Sequence, residues 1–436
     1  MSQFTVTVVG LGKIGMPLAA QYASRGLAVH GADVNPDVVA MVNAGKSPVI
    51  EEAGLEEAVA KARQAEMLDA TTDTALAVSQ SNVVVLVVPL MVDRNKQIDY
   101  RIVDSASADV ARGLQPGTLV IFETTLPVGT TRKRIGPILE QGSGLKQGRD
   151  FMLAFSPERV YSGRIFADLR NYPKIVGGVD EASAARAVEF YRAALDEGTP
   201  IKLVANAETA EFVKLAETTY RDVNIALANE FARFAASNGI DALDAFDAAN
   251  TQPYSHIHKP GVGVGGHCIP VYPYFLLDAA AEGELDLVRR SRALNDSMAA
   301  YSLDLLEREL GSLQGKRVLV LGLSYRENVK EDAFSTAHLL IAELKRRSAH
   351  PLLHDPLWTA EELERHGDSA ESVADIYAAR PDAVVLQAYH QQYARLLDWP
   401  RLAEASCRVI LDGRNAVRNQ REAIEAAGLK YVGVGQ

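Results

Sequence analysis

The fold of this chain is decided by its first strand and the turn after it, residues Phe4 to Gly15, which read FTVTVVGLGKIG. The residues up to Val9 are mostly apolar or β-branched, as in a strand that is buried on both faces of a parallel sheet. Glycines follow at positions 10, 12 and 15. Glycine permits a tight turn and lets a ligand approach the backbone closely. The stretch therefore predicts a strand, a glycine turn and a helix, which together open a βαβ unit.

The same alternation of strands and helices continues along the chain and returns near its end. Strands are predicted at 28–32, 83–88 and 119–122, and again at 317–321, 351–354, 383–387, 408–411 and 431–434. Residues 206–250 contain Ala, Leu, Phe and Glu at helical spacing without proline, which predicts one long helix followed by another. We therefore expect an α/β protein with two Rossmann-like doubly wound parallel sheets joined by a long central helix and a helical region. The predicted domains are 1–200, 201–300 and 301–436.

Composition and charge exclude several classes of protein. The 436 residues carry a net charge of −11, which argues against a nucleic-acid partner, since binding phosphates requires a basic surface. Only two cysteines are present, which fits a reducing compartment rather than a disulfide framework. The sequence shows neither a signal-peptide pattern at its start nor an apolar run long enough to cross a membrane. We expect a cytoplasmic protein with no membrane partner.

The glycine turn has the spacing of a dinucleotide fingerprint, and it stands in the context that this fingerprint requires. Gly10, Gly12 and Gly15 follow a strand and open a helix, whose N-terminus favours a pyrophosphate. Asp33 ends the second predicted strand, where a carboxylate can accept both ribose hydroxyls of NAD and would repel the 2′-phosphate of NADP. A helix cap or a surface charge is the other interpretation of Asp33. The predicted NAD site also includes Lys13, Ile14, Pro89 and Thr125.

A second glycine-rich run, from Gly261 to Gly266, leads directly to His267 and Cys268. A cysteine that is presented by such a loop is a candidate nucleophile. The alternative is a buried structural thiol, because free cysteine is among the most buried residue types. The second α/β region begins with a similar strand and Gly322, but Ser324 and Glu327 replace the other two glycines, so no second dinucleotide is expected there.

Several motifs in one order, spread over essentially the whole chain, resemble the UDP-glucose/GDP-mannose dehydrogenase family of nucleotide-sugar 6-dehydrogenases. The motifs are Gly10-x-Gly12-x-x-Gly15, Glu123-Thr124-Thr125-x-Pro127-x-Gly129-Thr130-Thr131, Ser156-Pro157-Glu158-Arg159, Pro173-Lys174-Ile175-Val176-Gly177-Gly178, Lys214 within Glu211-Phe212-Val213-Lys214-Leu215, Gly265-Gly266-His267-Cys268, and Asp412-Gly413-Arg414. The resemblance implies two Rossmann-like domains, a helical middle region around which subunits dimerise, and oxidation of a sugar C6 alcohol to a carboxylate with two NAD.

The resemblance also implies roles for catalytic residues. Cys268 matches the nucleophile that forms a thiohemiacetal and then a thioester, and Lys214 matches the lysine that stabilises the oxyanion. Glu158 matches the general base or water-orienting residue of thioester hydrolysis, and Thr125 matches a threonine that holds the water. Lys214 could instead be a solvent-facing helix residue, Glu158 a helix N-terminal acid and Thr125 an ordinary turn residue.

Two positions depart from the family pattern. Thr218 stands where the family has asparagine, and Tyr272 stands where it has aspartate. Tyr272 could donate a hydrogen bond or act as an acid–base group. The alternative is that Glu217 or Glu158 takes over part of the proton transfer.

The substrate would be held by basic and aromatic side chains, which the resemblance places around the glycine run and in the last domain. Two histidines one residue apart could suggest a metal, but no third ligand is evident in the sequence, so no metal site is predicted. The predicted substrate-binding residues are Glu158, Arg159, Lys214, Tyr254, His256, His258, Lys259, Gly265 and Arg414.

The run from Tyr220 to Ala226 and the string Gly266-His267-Cys268-Ile269-Pro270 look most similar to the branch that acts on UDP-N-acetylhexosamines. UDP-N-acetylmannosamine or UDP-N-acetylglucosamine is therefore the expected substrate, oxidised for the synthesis of cell-surface polysaccharide precursors. UDP-glucose is the alternative substrate. A two-electron 3-hydroxyacid or 6-phosphogluconate type of dehydrogenase and a non-catalytic UDP-sugar binder are the other interpretations.

Overall fold

The computed structural model describes residues 4–50, 52–93, 95–161 and 163–436. The chain forms two compact units. The first contains the described residues up to Glu217 together with Tyr274–Ala279, and the second contains Thr218–Pro273 and Ala280–Gln436. The three-domain division with limits at residues 200 and 300 stays a prediction.

The secondary structure alternates between strands and helices in both units, and two of the helices cross the boundary between them. The strands are β1 Thr5–Val9, β2 Ala28–Ala32, β3 Leu68–Thr71, β4 Val83–Leu86, β5 Met91–Val92, β6 Ile98–Asp99, β7 Leu119–Phe122, β8 Met152–Phe155, β9 Lys174–Gly178, β10 Ile201–Leu203, β11 Arg317–Leu321, β12 His350–His354, β13 Glu371–Ser372, β14 Ala383–Leu386, β15 Val409–Asp412 and β16 Lys430–Gly433.

A helix opens at the glycine turn, and one long helix with a second one after it lies within residues 206–250, as predicted. The helices are α1 Gly15–Ser24, α2 Pro36–Asn43, α3 Leu55–Gln64, α4 Thr74–Ser79, α5 Arg101–Gly113, α6 Gly136–Ser143, α7 Ile165–Asn171, α8 Glu181–Ala194, α9 Ala207–Ser237, α10 Ala242–Ala249, α11 Tyr272–Ala279, α12 Asp286–Leu310, α13 Thr336–Arg346, α14 Ala360–His366, α15 Tyr393–Leu396, α16 Trp399–Glu404 and α17 Arg421–Ala426. A π-helical segment, Thr131–Ile135, precedes α6, and a 3-10 turn, Arg418–Gln420, precedes α17.

In the first unit, the described residues form an eight-stranded sheet in the order β10-β9-β8-β7-β4-β1-β2-β3. The strands from β8 to β3 are parallel, whereas β9 pairs antiparallel with β8 and carries β10 with it. The carboxyl ends of the parallel strands therefore meet at one edge of the sheet. Because β9 runs the other way, its first residue, Lys174, lies at that same edge.

In the second unit, the described residues form a six-stranded sheet in the order β13-β12-β11-β14-β15-β16, and the pairs are parallel. Strand β11 lies between β12 and β14, as β1 lies between β2 and β4 in the first unit. Both sheets reverse their strand order beside the first strand, which is where doubly wound sheets bind ligands.

Local sequence explains why the central strands form. Strands β4 and β7 read VVVL and LVIF and are buried along their whole length, as expected for strands that are covered on both faces. The predicted strand at 83–88 ends at Leu86, two residues earlier than expected, although the N–H of Val87 still donates to the carbonyl oxygen of Val9 at 2.9 Å. None of the helices among the described residues has the length and hydropathy needed to span a membrane.

Candidate active site

The turn after β1 has the geometry that its glycines predict. Gly10 has a φ of +92°, and a Cβ there would lie 2.8 Å from the carbonyl oxygen of Val87. A Cβ on Gly15 would lie 1.8 Å from the carbonyl oxygen of Gly10, so α1 packs too closely on the turn for any side chain. A Cβ on Gly12 would meet nothing within 4 Å. The turn therefore leaves open space above Gly12, which suits a bound phosphate.

Asp33 follows β2 and is held beside this turn. Its Oδ2 accepts the backbone N–H of Leu11 at 2.8 Å, and its Oδ1 accepts that of Asn35 at 2.9 Å. The side chain keeps partial exposure. A carboxylate that is fixed by two backbone donors, yet reachable from solvent, can accept further hydroxyl groups.

The other residues of the predicted cofactor site lie at or near the same strand ends. Lys13 is exposed and Ile14 is partly buried in the glycine turn, and Pro89 is exposed after β4. Thr125 is buried two residues beyond Glu123, which follows β7. The sheet thus brings all these positions to the edge where the parallel strands end.

Glu158 belongs to a buried cluster that the sequence did not predict as a unit. The Lys174 Nζ lies 2.8 Å from Glu158 Oε2 and 2.7 Å from Glu123 Oε2. The Glu123 Oε1 accepts hydrogen bonds from the hydroxyls of Tyr22 at 3.1 Å and Tyr191 at 2.6 Å. The antiparallel register explains the contact, because the pairing of Phe155 with Gly177, continued along both segments, brings Lys174 opposite Glu158.

Burial and charge shift the pKa values of the two carboxyl groups of this cluster in opposite directions. Burial raises the pKa of Glu123 to about 7, although Lys174 acts in the opposite direction. Burial also opposes ionisation of Glu158, but Lys174, a hydrogen bond from Glu123 and the backbone N–H of Arg159 outweigh it and lower the pKa of Glu158. Glu158 is therefore the ionised member of the pair near neutral pH, as a general base requires.

Lys214 lies in α9 within the first unit and is buried rather than solvent-facing. Its Nζ lies 3.8 Å from Glu217 Oε1, and Glu217 Oε2 accepts a hydrogen bond from Arg159 at 2.8 Å. Glu217 therefore connects the helix that carries Lys214 to the loop that carries Glu158. A surface lysine would have no such placement, so the solvent-facing interpretation of Lys214 is wrong.

Glu211 anchors α9 one turn before Lys214. Its buried carboxylate accepts the backbone N–H of Thr131 at 2.8 Å and the Thr131 hydroxyl at 2.6 Å, and the N–H of Gly129 at 2.5 Å. Burial raises the pKa of Glu211 to about 7. Glu211 thus fixes the turn after Thr125 to the helix that carries Lys214.

The Gly261–Cys268 run in the second unit is attached at its start to α9 and to the loop after β15, and near its end to the loop after β11. The N–H of Gly261 donates to Asn229 Oδ1 on α9, and the N–H of Val262 donates to the carbonyl oxygen of Gly413 after β15, both at 2.9 Å. The N–H of Gly266 donates to the carbonyl oxygen of Ala333 at 2.9 Å. These bonds hold the run across the carboxyl ends of the second sheet.

Aromatic packing and a side-chain hydrogen bond complete the attachment next to the cysteine. Gly266 has a φ of +96°, and a Cβ there would lie 3.0 Å from the ring of Tyr325. His267 pairs with Glu331 through its Nε2. Cys268 itself is a free, partly exposed thiol, whereas the other cysteine, Cys407, is buried and burial raises its pKa to about 12. Cys268 is thus the accessible thiol, and the interpretation as a buried structural cysteine is wrong.

Tyr272 begins α11, and its N–H donates to the carbonyl oxygen of Cys268 at 2.9 Å. Tyr272 is partly buried, and Thr218 is buried one turn after Lys214 in α9. The backbone of the cysteine is therefore continuous with a helix N-terminus, whose dipole favours negative charge. The roles of both side chains in proton transfer stay predictions.

The predicted substrate residues of the second unit divide into an exposed group and a structural one. Tyr254 is 88% exposed, and His256 and Lys259 are also exposed, whereas His258 is half-buried. Asn224 on α9 holds this loop, since its Nδ2 donates to the carbonyl oxygen of His256 and its Oδ1 accepts the N–H of His258. The exposed side chains are available to a ligand.

Arg414 has contacts that the sequence did not predict. Its guanidinium donates at 3.0 Å to the carbonyl oxygens of both Gly263 and Gln387, and at 3.3 Å to the Thr336 hydroxyl. Arg414 thus positions the glycine run, and its proposed contact with substrate stays a prediction. Gly265, also predicted to bind substrate, packs against Tyr325 and Phe334, because a Cβ there would lie 2.9 Å from either residue. Among the described residues, no group of three His, Cys, Asp or Glu is arranged to hold a metal ion.

Sequence profiles of one family match most of the chain. They describe the NAD binding domain of the UDP-glucose/GDP-mannose dehydrogenase family over residues 4–195, its central domain over 208–297 and its UDP binding domain over 319–419. The chain belongs to the UDP-glucose/GDP-mannose dehydrogenase family. It is accordingly an NAD-dependent nucleotide-sugar dehydrogenase.

Relatives within this family extend over the full length of the chain. A UDP-N-acetyl-D-mannosamine dehydrogenase from Pyrococcus horikoshii is 35% identical, with 99% of each chain covered. A solved structure of the UDP-D-ManNAc dehydrogenase from Pyrococcus horikoshii superimposes with a TM-score of 0.88 at 33% identity, again with 99% of each chain covered. An NDP-N-acetyl-D-galactosaminuronic acid dehydrogenase from Methanosarcina mazei gives a TM-score of 0.87 at 29% identity, with 99% of this chain and 95% of that one covered.

The NAD site that the family requires fits the residues of this chain. The open space above Gly12, the N-terminus of α1 and the partly exposed Asp33 match the needs of a pyrophosphate and a ribose. Helix α1 has no side-chain cap, and its dipole favours an anion at its N-terminus. These three features would hold NAD at the carboxyl edge of the first sheet.

The sequence did not identify Glu123, Lys174, Glu211 and Glu331 as contributors to the site, whereas Glu217 had been considered for proton transfer. Glu123 and Lys174 stood inside the recognised motifs, and their signal was a charge directly beside a wholly apolar strand. A buried charge of this kind needs a partner. The partner could not be identified without the antiparallel register of β9.

Proposed function

We propose that this protein oxidises the C6 alcohol of UDP-N-acetylmannosamine to the corresponding uronic acid in two NAD-dependent steps, with Cys268 as a covalent nucleophile. The observation that carries the proposal is the free, partly exposed thiol of Cys268 on a glycine run that backbone hydrogen bonds hold in place. The sugar is chosen because the relative from Pyrococcus horikoshii bears that substrate in its name. UDP-N-acetylglucosamine and UDP-glucose are the competing substrates.

Each residue has a defined part in this reaction. NAD, when bound, supplies the oxidant for both steps. After the first oxidation the Cys268 thiolate adds to the aldehyde carbon, and Lys214 stabilises the oxyanion that forms. The second oxidation gives a thioester, and Glu158 takes a proton from the water that attacks it, while Thr125 holds that water. Cleavage of the C–S bond returns the electron pair to Cys268 and releases the carboxylate.

The stoichiometry of NADH formation tests the reaction. With UDP-N-acetylmannosamine we expect two NADH per uronic acid, and Cys268→Ala should form no acid. Cys407→Ala is the matched control, because it removes the other thiol, which is buried, and should keep the ratio of two. A ratio of one would instead indicate a two-electron dehydrogenase. Binding of the UDP-sugar without NADH formation would indicate a non-catalytic binder.

The contribution of Lys214 is tested separately. Removal of one oxyanion-stabilising group costs about 100- to 1000-fold in rate, so Lys214→Met should lower kcat by roughly that factor. Lys61→Met is the control, since Lys61 is a largely exposed lysine on α3 whose ion pair with Glu57 lies on the surface. Equal effects of the two substitutions would contradict the role of Lys214.

Competition among UDP-sugars tests the choice of substrate. We expect kcat/KM to be highest for UDP-N-acetylmannosamine when it is compared with UDP-N-acetylglucosamine and UDP-glucose. A higher value for UDP-glucose would reassign the substrate and leave the chemistry intact. A cytoplasmic location and the supply of precursors for cell-surface polysaccharide remain predictions that follow from the family resemblance.

The protein is also proposed to be a homodimer that associates through α9. Tyr220, Leu227, Phe231 and Phe234 are 57%, 41%, 42% and 64% exposed and are spaced by seven, four and three residues, so they share one face of the helix. An exposed apolar stripe of this kind typically marks an interface. Phe234→Glu should convert a dimer into a monomer in light scattering, whereas Leu339→Glu, at a single exposed leucine on α13, should not.

A further inference from the structure

The cluster of Glu123, Lys174 and Glu158 contains more ionisable groups than a general base requires. Lys174 is 5% exposed and contacts both carboxylates, and Glu123 is completely buried behind it. Glu158 is 10% exposed and is the member of the trio nearest to solvent. The groups therefore form a line that leads from the surface into the first unit, with a second carboxyl group at its inner end.

The charge of the trio depends on a single proton. With both carboxylates and the ammonium ionised, the trio carries a charge of −1, and one added proton makes it neutral. Burial disfavours net charge, so the proton is bound more tightly than by a carboxylate in water. Burial raises the pKa of Glu123 to about 7, whereas the pKa of Glu158 is lowered. The added proton therefore resides on Glu123.

The surroundings allow Glu123 to be ionised as well as protonated. The hydroxyls of Tyr22 on α1 and Tyr191 on α8 both donate to its Oε1, while Lys174 on β9 faces its Oε2. The Lys174 Nζ also lies 4.9 Å from the centre of the Tyr191 ring. Around Glu158, the charged neighbours are Lys174, Glu123 and Arg159, whose N–H donates to Glu158 Oε1 at 2.7 Å. These donors stabilise a carboxylate that burial alone would keep neutral.

We propose that Glu123 stores the proton that Glu158 removes from the hydrolytic water, and that Lys174 positions both carboxyl groups for this exchange. The proposal rests on the function proposed above. The water oxygen bonds to the acyl carbon, one water proton passes to Glu158, and the C–S electron pair leaves on Cys268. Glu158 then gives its proton to the Glu123 carboxylate, which returns it through Glu158 to solvent once the product has left.

Because Glu158 passes its proton to Glu123, it returns to the ionised form that a general base requires. If Glu123 is ionised beforehand, uptake of the water proton takes the trio from −1 to neutral, which burial favours. Without an ionisable group at position 123, the same uptake takes the trio from neutral to +1, which burial opposes. Glu123 and Lys174 are thus positioning residues, because they act through Glu158 and not on the substrate.

Glu123→Gln tests the store directly. The acyl form of Cys268 is accumulated by rapid mixing, and its decay is followed by intact-protein mass at pH 5.5 to 9. In the unchanged protein, decay should speed up with an ionisation near pH 7. Glu123→Gln should lose this ionisation and decay roughly tenfold more slowly at pH 8, a fraction of a full general-base effect. An unchanged pH profile in Glu123→Gln would overturn the proposal.

Glu211→Gln is the matched control for this substitution. Glu211 is another buried carboxyl group of the first unit, and burial raises its pKa to about 7, but its partners are Gly129 and Thr131. The ionisation near pH 7 in the decay of the acyl form should persist in Glu211→Gln. Its loss there would assign that ionisation to Glu211 and overturn the role of Glu123.

Lys174 and Tyr191 provide variants of graded severity. Lys174→Met should move the ionisation of the decay step to higher pH, because both carboxylates lose their cation, and Lys174→Arg should restore it. Tyr191→Phe removes one donor to ionised Glu123 without removing a charge, so it should move the same ionisation upward by a smaller amount. No shift in Tyr191→Phe or Lys174→Met would count against the store.

Different results would contradict the proposed function and the proposed proton store. If the unchanged protein forms neither NADH nor an acyl adduct with any UDP-sugar, the proposed function is wrong. If the unchanged protein forms the adduct and Glu123→Gln hydrolyses it with the same pH profile, the function stands and the proton store is wrong.

Discussion

The two Rossmann-type sheets carry the same acid at the same place, but they use it differently. Asp33 follows the second strand of the first sheet, and Asp355 follows the corresponding strand β12 of the second. Each accepts the N–H of the residue after the first glycine, Leu11 at 2.8 Å or Leu323 at 2.9 Å. Asp33 remains partly exposed, whereas Asp355 is 2% exposed.

Residues around Asp355 close the position that Asp33 leaves open. Ser324, which stands where the first sheet has Gly12, donates its N–H and hydroxyl to Asp355 Oδ2, each at 3.1 Å. The buried His390 lies 3.0 Å from the same oxygen, and Trp358 donates to the Ser324 hydroxyl at 2.9 Å. An acid at the same place is thus left reachable from solvent in one sheet and serves as a structural hydrogen-bond acceptor in the other.

The connections that follow the first strands of the two sheets differ in length. Residues 10–14 link β1 to α1, whereas residues 322–335 link β11 to α13. The longer connection includes Tyr325, Glu331 and Ala333, which contact the glycine run before Cys268. The second sheet therefore uses the connection after its first strand to hold the glycine run that leads to Cys268.

We expect the largest effect on stability from a substitution of Asp355, the buried acid of the second sheet. Asp355→Ala leaves His390, Ser324 and a backbone N–H without their shared acceptor, and loss of one partner of a buried polar pair costs about 3–5 kcal/mol of unfolding free energy. Urea unfolding of the protein without ligand measures the loss, and NAD affinity of the folded fraction should stay unchanged. A fall in NAD affinity with intact stability would reverse the roles assigned to the two acids.

A substitution of Asp33, the partly exposed acid of the first sheet, should instead weaken NAD binding and change stability little. Asp33→Ala should weaken NAD binding about 100-fold, because hydrogen bonds to a charged acceptor contribute about 1.5–3 kcal/mol each and 1.4 kcal/mol is a factor of ten. Titration calorimetry measures the affinity, and the unfolding free energy without NAD should change by only about 1 kcal/mol, since solvent reaches the freed N–H groups. The comparison between the sheets fails if NAD binding changes less than threefold.

The long connection of the second sheet predicts a dependence of stability on pH. Burial opposes protonation of His338 on α13, but hydrogen bonds to Asp332 and Asp368 outweigh it and raise its pKa from 6.5 to about 9. Because the pKa is higher in the folded state, the stabilisation is complete below about pH 6.5 and is lost as the pH rises through 9. We expect the unfolding free energy to fall by about 2 kcal/mol over this interval, after discounting for partial exposure.

His338→Gln should abolish that decline in urea unfolding at pH 6, 7.5 and 9. His350→Gln is the control, because His350 forms an exposed pair with Glu371 and should alter stability by less than about 0.5 kcal/mol. A decline that persists in His338→Gln would show that His338 is not its cause.

The smallest effects separate the two glycine turns. Gly12→Ala adds a Cβ into open space and should leave the unfolding free energy within about 0.5 kcal/mol, while NAD affinity falls because the methyl group occupies the space proposed for the pyrophosphate. Gly266→Ala should cost about 1–3 kcal/mol, since its φ is +96° and the Tyr325 ring is adjacent. Thermal unfolding should therefore detect a loss of stability in Gly266→Ala, and NAD titration should detect a loss of affinity in Gly12→Ala. Identical behaviour of the two variants in both measurements would contradict this difference.

The sequence sufficed wherever function is encoded by local spacing. Gly10, Gly12, Gly15 and Asp33 were predictable because turn chemistry and the acid after β2 follow from neighbouring residues. The cysteine loop was predictable as a feature for the same reason. Both α/β regions and the long helix followed from hydrophobic periodicity, with strand ends displaced by one or two residues.

Contacts between residues that are far apart in the sequence could not be predicted from it. The contact of Lys174 with Glu158 depends on β9 running against β8, and no local pattern reveals the direction of a strand. The three contacts of Arg414 join segments separated by up to 151 residues. Such contacts are fixed by the packing of whole elements, so the sequence could suggest the residues but not their partners.

The path of the chain through the two units has a consequence for its synthesis. The first unit includes Tyr274–Ala279, so it is incomplete when the ribosome has made Glu217. Domains of a nascent chain generally fold in order as they emerge. Here the unit that contains the NAD-binding sheet is complete only once Ala279 has been made, and α11, whose first two residues belong to the second unit, begins four residues beyond Cys268. A translational pause before Ala279 would therefore delay the completion of a unit whose last strand ended at Leu203.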